Sequence, residues 1–482
     1  MLDPHRLPCE IPAARPAPKP IGAKREVNLR WVLPATILGS SLSFVDASVV
    51  NVALPAIQQG LQAPLATVQW VVNGYMLMLA SLILLGGSAG DRFGQRQVFL
   101  LGLIGFAVAS LGCGLAPNAA WLIAARLAQG IAAALLVPAS LAIIGIAYTG
   151  EARGRAIGTW AAAAALTTAS GPLLGGWLVD AVGWRSIFFI NLPIAALATI
   201  LALKLPAGRN DESGEALDMA GAVLAVLALG LLSYGLIALG EGRRLTGAAV
   251  AMVALLAGGL FVRRERRAAA PMMPLRLFHS RDFAGANGLT VLLYAALSGA
   301  LFLLPFLLIE THGYSATAAG AAFLPFSAIM GVGSRWSGGL GERLGARPLL
   351  VLGPALTAAG CVLLGLSGST ANYWIGYLPG LVVVGIGMTL AVAPLTATVF
   401  DSAPEDRGGV ASGINNAAAR AGGLLAVAAL GLAFGGADAA GAGSGLAEAY
   451  RLVMLGAAAL AALGAGVAAL TIAPRRAAPA HR

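Results

Sequence analysis

The segment Gly87-Ser88-Ala89-Gly90-Asp91-Arg92-Phe93-Gly94-Gln95-Arg96 has a counterpart in Gly338-Gly339-Leu340-Gly341-Glu342-Arg343-Leu344-Gly345-Ala346-Arg347. The two agree in residue or charge at six of ten positions, and each joins two long apolar stretches. A second pair repeats the relation, because Glu151-Ala152-Arg153-Gly154 is echoed by Glu405-Asp406-Arg407-Gly408. Short loops that recur at equivalent places mark an internal duplication.

Working outward, apolar runs of about 20 residues, the length a helix needs to cross a bilayer, fall into three groups. Six lie at roughly 31 to 57, 67 to 88, 97 to 116, 119 to 147, 156 to 179 and 186 to 205. Two follow near 218 to 239 and 246 to 262, and six more near 285 to 309, 316 to 334, 348 to 367, 372 to 398, 409 to 435 and 447 to 473. The predicted fold is therefore an all-α polytopic membrane protein of fourteen transmembrane helices. Two pseudo-symmetric six-helix bundles, 31–205 and 285–473, flank a 206–284 segment with two extra helices and the basic loop Arg263-Arg264-Glu265-Arg266-Arg267. Residues 1–30 and 474–482 read as tails on the cytoplasmic side. Duplicated six-helix halves around a midplane site suit a transporter, because rocking one half against the other alternates access to the space between them.

Composition agrees with a membrane solvent. The 482 residues are 58% hydrophobic and 11% charged, with 64 Gly and 25 Pro, and mean hydropathy is +0.82. Neither a soluble surface nor a disordered chain is built from this mixture. The net charge of +10 would suggest a nucleic-acid partner in a soluble protein. Here its distribution gives another reason. Of 31 basic residues, four (Arg185, Arg243, Arg244 and Arg451) fall outside and two (Arg126 and Arg420) within spans; the remaining 25 lie on the side of both termini. Basic residues resist translocation, so that side is predicted to be the cytoplasm, with no nucleic acid needed. No cleavable signal peptide precedes Trp31, so the first span is expected to be an uncleaved anchor. Cys9, Cys113 and Cys361 are too scattered for a disulfide framework.

None of the three lysines, Lys19, Lys24 and Lys204, lies in a phosphate-cradling GxxxxGK[ST] loop, and no histidine pair or nucleophile elbow appears. An enzyme, a metal site and a bound cofactor are thus not expected. Energy for uphill movement then has to come from an ion gradient.

Asp46, in Asp46-Ala47-Ser48-Val49-Val50-Asn51-Val52-Ala53-Leu54-Pro55, is a carboxylate placed within a span, where it costs about 2.5 to 3.5 kcal/mol. Burial disfavours the charged form of a carboxyl and a nearby cation favours it, the balance a reversible proton carrier needs. The candidate partner is Arg126, in Arg126-Leu127-Ala128-Gln129-Gly130 of the fourth span. The alternative is a structural Asp46 bonded to backbone or to Asn51. In the repeated loop, Gly87 and Gly94 permit a tight turn and close approach, Asp91 is suited to a helix N-terminus, and Arg92 and Arg96 to the inner interface. Asp91, and Glu342 with Arg343 in the second copy, are predicted to latch an inner gate. Gly171-Pro172-Leu173-Leu174-Gly175-Gly176 of the fifth span combines a helix-bending proline with small residues that allow close packing. Asn73, Tyr75, Gln129, Asn415, Asn416 and Arg420 are polar positions within spans and candidate cavity residues. Asp180 and Glu310 are expected at outer helix ends, and His312, near Glu310, is a further proton-relay candidate.

The loop at Gly87, Asp91, Arg92, Gly94 and Arg96 resembles the G-x-L-x-D-R-x-G-R-R hallmark of the major facilitator superfamily, departing from it at Ala89 and Gln95. The string from Asp46, with Ser48 where Thr is usual, the Arg126–Gly130 element and the Gly171–Gly176 element are similar to motifs of its fourteen-helix drug:proton antiporters. Thr167 stands where a further Gly is usual, and Trp184-Arg185-Ser186-Ile187-Phe188-Phe189-Ile190-Asn191-Leu192-Pro193 resembles the start of their sixth helix. The resemblance runs from about Trp31 to Ala473. It implies an antiporter, coupled to protons through Asp46 and Arg126, that exports lipophilic or cationic compounds; a monomer in the bacterial inner membrane is the accompanying expectation. An exporter of one endogenous metabolite or lipid is the alternative.

Overall fold

A computed structural model describes residues 29–205, 217–367, 371–404, 407–434 and 442–474. Cys9 and the tails, Glu405 and Asp406 of the second echoed loop, and the side chain of Glu342 lie outside the described residues. The first six spans are α1 (Val32–Leu61), α2 (Leu65–Phe93), α3 (Gln95–Gly114), α4 (Ala119–Ala147), α5 (Gly150–Ala181) and the consecutive pair α6 (Ser186–Phe189) and α7 (Asn191–Ala202). Then come α8 (Met219–Gly240) and α9 (Arg244–Arg267). The last six are α10 (Arg281–Phe306), the pair α11 (Ala316–Ala321) and α12 (Leu324–Leu344), α13 (Ala346–Leu366), the pair α14 (Tyr373–Gly376) and α15 (Leu378–Asp401), α16 (Gly408–Ala429) and α17 (Ala442–Thr471). Thirteen helices among the described residues are long and apolar enough to cross a membrane, and Ser186–Ala202 is a shorter apolar fourteenth.

The helices run past the apolar runs that announced them. Where 67 to 88 and 156 to 179 were expected, α2 extends to Phe93 and α5 begins at Gly150. Hydropathy sees only the part that suits hydrocarbon, whereas the hydrogen-bonded ladder continues until something stops it. At the loop after α2 the stop is Gly94, at φ +93°, and after α12 it is the equivalent Gly345, at φ +83°. Both need the left-handed region that glycine enters without strain. The breaks before α12 and α15 place Pro325 and Pro379 in the first turn of the new helix, where a missing N–H costs nothing.

The duplication extends to packing. In the first set α2 and α3 lie against α4, α1 against α5 and α7, and α3 against α7. In the second set α12 and α13 lie against α15, α10 against α16 and α17, and α13 against α17, which is the same set of neighbours in the same order. The arginine that ends each repeated loop also has one job in both. Arg96 donates to the carbonyls of Ala202, the last residue of α7, and Leu203 just past it (3.1 and 2.7 Å), and Arg347 to the carbonyl of Ala469 in the last turn of α17 (2.5 Å). A guanidinium there adds a donor to carbonyls at a helix end.

The two sets meet crosswise, α2 against α16 and α5 against α11, the second helix of each facing the fifth of the other. Buried Gln69 ties the first junction by donating to the carbonyl of Val427 at 2.9 Å. The extra pair, α8 and α9, pack on each other, with α8 seated against α2 and α16. One end of the bundle carries Arg92, Arg96, Arg153, Arg155, Arg343 and Arg347 and is called the basic end; the other is the far end.

Candidate functional site: a buried ion pair beside a glycine seam

Asp46 and Arg126 are each 1% exposed and form an ion pair between α1 and α4. Around them is a closed hydrogen-bond cluster. Gln129, one turn along α4, accepts from Arg126 Nη1 at 2.6 Å and donates to Asp46 Oδ1 at 2.8 Å and Ser110 Oγ of α3 at 2.8 Å. Asn191, first residue of α7, donates to Asp46 Oδ1 at 3.3 Å and Ser110 Oγ at 3.2 Å. Arg126 Nε donates to the carbonyl of Val71 on α2 at 3.0 Å, and its guanidinium lies 4.4 Å from the Tyr75 ring centroid and 5.9 Å from that of Phe188. Five helices of the first set thus meet in one cluster around the ion pair. A buried pair is tolerated when its remaining hydrogen-bonding capacity is met, and removing one partner costs about 3 to 5 kcal/mol.

The bond from Asp46 to Asn51 that the sequence left open is not formed, because Asn51 Nδ2 donates to the carbonyl of Ala47 at 3.2 Å. Gln129 and Tyr75 belong to the ion-pair cluster, with the Tyr75 hydroxyl donating to the Ser43 carbonyl at 3.3 Å. Asn73 is fully buried on α2, and neither its Nδ2 nor its Oδ1 has a hydrogen-bond partner among the described residues. Asn415 bridges α16 to α10, donating to Thr290 Oγ1 at 2.7 Å and Asn287 Oδ1 at 3.3 Å, whereas Asn416 bonds the Ser412 carbonyl of its own helix at 3.2 Å. Half-buried Arg420 sits on α16 near enough to Tyr75 and Tyr294 for its charge to act on both. Ser110 and Asn191 went unassigned in the sequence. The available signal was the lone amide of Asn191 after the apolar run Ile187-Phe188-Phe189-Ile190; Ser110 offered none.

The seam lies one turn from Asp46. A Cβ on Gly171 would meet Ser48 Oγ of α1 at 1.8 Å, and one on Gly175 would meet Val49 at 2.9 Å. On the opposite side a Cβ on Gly176 would fall 2.1 Å from the Ala316 carbonyl oxygen of α11, and one on Gly320 of α11 would fall 2.1 Å from that of Pro172. The string Gly171–Gly176 therefore clamps α5 between α1 and α11, and a Cβ at any of its three glycines would overlap a neighbour. Asp180 closes the same end, accepting from the backbone N–H of Ala316 (3.1 Å) and Thr317 (2.7 Å) and from Thr317 Oγ1 (2.5 Å). Solvation at a helix end was the expectation for Asp180; instead it caps a helix of the other set, where a carboxylate meets unpaired N–H groups and the positive end of the dipole. Glu310 likewise accepts from Gln59 Nε2 of α1 at 2.7 Å. His312 does not join Glu310. Its Nε2 lies 2.7 Å from the Tyr377 hydroxyl, and burial pushes its pKa down.

The repeated loop is arranged differently at the basic end. Asp91 Oδ1 accepts from Gln95 Nε2 at 2.8 Å, within its own loop. Arg92 covers the Phe93 ring at 5.6 Å, and Arg343 is exposed. Close approach of α2 to α4 falls at Gly86, whose Cβ would lie 2.1 Å from the Ala134 carbonyl, and not at Gly87, which has its nearest neighbour, Pro138, at 3.8 Å. Helical phase explains the shift: a step of one residue turns a position through about 100° and off the contact face.

Comparison with known proteins agrees with this architecture. Residues 36–427 match the Major Facilitator Superfamily. The chain is 38% identical over 406 residues to the tetracenomycin C resistance and export protein of Streptomyces glaucescens, covering 83% of this chain and 75% of that one. It is 37% identical over 405 residues to the multidrug resistance protein Stp of Mycobacterium tuberculosis, covering 83% and 74%. Among solved structures, a POT family transporter in complex with 5-aminolevulinic acid superposes with a TM-score of 0.68 at 13% identity, over 91% of this chain and 94% of that one. The chain belongs to the major facilitator superfamily and is a multi-pass membrane transporter.

Proposed function

We propose that this member of the major facilitator superfamily is a proton-coupled antiporter, acting as a monomer, that exports lipophilic or cationic drugs and toxic compounds by alternating access. Its place is the bacterial cytoplasmic membrane, with the basic end and both termini in the cytoplasm, as the distribution of 25 basic residues supports. The single observation that carries proton coupling is the Asp46–Arg126 pair, a titratable carboxylate and its cation closed off together in the membrane-spanning core. Export of toxic compounds is supported by relatives named for resistance and export.

A proton arriving from outside neutralises Asp46 and releases Arg126 from its counter-ion, which favours opening toward the cytoplasm. Substrate enters, the proton leaves inward, the ion pair re-forms and the carrier turns outward. With the far end clamped and the ion pair intact, the described conformation corresponds to the moment after proton release. The gradient is adequate, since one charge crossing 100 mV yields about 2.3 kcal/mol. The α5 seam couples to this event through α1, because Ser48 and Val49, which Gly171 and Gly175 contact, are within one turn of Asp46. The second reading, an exporter of one endogenous metabolite, is favoured by the relative named for export of tetracenomycin C.

The test is substrate efflux from proteoliposomes under an imposed proton gradient. Asp46→Asn keeps the shape of the cluster and removes the titratable group, so transport is expected to fall to the level seen without a gradient. Undiminished gradient-driven transport overturns the proton role. A panel of unrelated lipophilic cations separates the readings: broad competition supports drug efflux, and inhibition by one compound alone supports the metabolite exporter.

A further inference from the structure

Along α9 one face carries Leu255, Gly258, Gly259, Val262, Arg263, Arg266 and Arg267, positions three and four apart that form a single helical stripe. The stripe changes character along its length, apolar first and basic at the end. It forms one wall of a groove of about 970 Å³ whose other wall is Ala228, Leu229 and Leu232 of α8. That volume is at the upper end of small-molecule sites, which run to about 1,000 Å³. Gly258 and Gly259 leave the floor bare, since a Cβ on either would meet nothing within 4 Å.

The groove is held in shape from behind. Asp218, before α8, caps Gly221 N–H at 2.9 Å and pairs with Arg264 at 3.2 Å, while Glu265 accepts from the Met273 N–H at 2.9 Å. Glu265 is thereby buried and Arg264 is tied back to Asp218, while Arg263, Arg266 and Arg267 are turned out. All three are exposed, and none is paired with a carboxylate among the described residues. Three unneutralised guanidinium groups stand at the mouth of an apolar slot at the basic end of a membrane helix.

We propose that this groove is a binding site for an anionic phospholipid, its acyl chain lying along Gly258 and Gly259 and its phosphate held by Arg263, Arg266 and Arg267. Charge complementarity selects the occupant. A guanidinium matches a phosphate bidentately, and an apolar slot opening on the bilayer accepts a chain but not a hydrated free anion. This gives α8 and α9, which contribute nothing to the ion-pair cluster, a role of their own: a lipid seated on the pair that leans against the α2–α16 junction. It is independent of the transport reading.

The test uses the purified full chain in micelles doped with equal phosphatidylglycerol and phosphatidylcholine, with retained lipid counted by native mass spectrometry. Wild type is expected to keep phosphatidylglycerol preferentially. Arg263→Gln, Arg266→Gln and Arg267→Gln should each lower that preference about five-fold, and Gly258→Leu with Gly259→Leu should remove the retained lipid while all three arginines remain. Equal retention of both lipids by wild type, or an unchanged preference in the triple glutamine variant, overturns the site. So does loss in the arginine variants with none in the glycine pair, which leaves surface charge alone. Melting temperature without added lipid checks folding, and the single Arg266→Gln variant replaces any combination that fails it.

Discussion

The two halves of α5 are built from the same residues and do opposite things. Toward the basic end, Gly150, Gly154 and Gly158 have open space where a Cβ would go, and between Gly150 and Ser170 only Ala156 is fully buried. Toward the far end, Gly171, Gly175 and Gly176 are pressed against Ser48, Val49 and the Ala316 backbone. Polar contacts follow the same division. At the far end Asp180 reaches across to α11 and Glu310 to α1, whereas at the basic end Asp91 bonds Gln95 of its own loop. Small residues do not define a gate by themselves; whichever end has its small residues filled by a neighbour is the closed one. Along α5 the molecule is closed at the far end and loose at the basic end.

The sharpest way to break this contrast is Gly176→Leu. Its Cβ would overlap the Ala316 carbonyl, and backbone cannot yield as a side chain can. Overpacking of this kind costs about 1 to 3 kcal/mol, all charged to the conformation closed at the far end. A reporter cysteine at half-buried Leu173 is expected to react faster with a membrane-impermeant reagent added from the far side. Equal rates in variant and parent mean that the seam is not what holds this end shut.

How much of this the sequence announced depends on the physics of each feature. Spans, duplication and repeated loops are local or periodic; of the two glycines read as permitting a turn, Gly94 makes one and Gly87 lies inside α2, while Gly345 makes the equivalent turn in the second copy. Asp46 and Arg126 were legible because a charge in an apolar run has few explanations, and pairing them is the cheapest. Asp180 and Ser110 were not. An aspartate near a helix end looks solvated from the chain alone, and only the crosswise packing of α5 on α11 brings the unpaired N–H groups of Ala316 and Thr317 to it. Gly176 could be read as small, but not that its partner was a carbonyl in the other set.

A smaller effect is expected from Asp180→Asn. The amide oxygen can keep one of the N–H bonds and loses the charge at the helix terminus, worth about 0.3 to 1 kcal/mol. The same Leu173 reporter should react faster than in the parent but slower than with Gly176→Leu. Because the contacts with Thr317 are exposed, the difference should shrink as salt is raised. A rate that equals the parent's at low salt removes Asp180 from the closure.

The smallest effect has the opposite sign and probes the loose half. With nothing within 4 Å of its Cβ position, Gly158→Ala adds no clash and relieves the entropy cost of a glycine within a helix. The melting temperature should rise by the equivalent of about 0.5 to 1 kcal/mol. Such a gain is diagnostic, because the same change at Gly176 has no room to stabilise. Under the proposed alternating access Gly158 has a second use: if the basic end closes as the far end does, α5 must bring this position against a neighbour in the other state. Gly158→Leu, bulky yet a good helix former, should therefore keep the melting temperature at or above that of wild type while slowing transport. Transport at the parental rate would mean that the basic half of α5 never zips, and that the glycines of this helix serve only the end at which they are already filled.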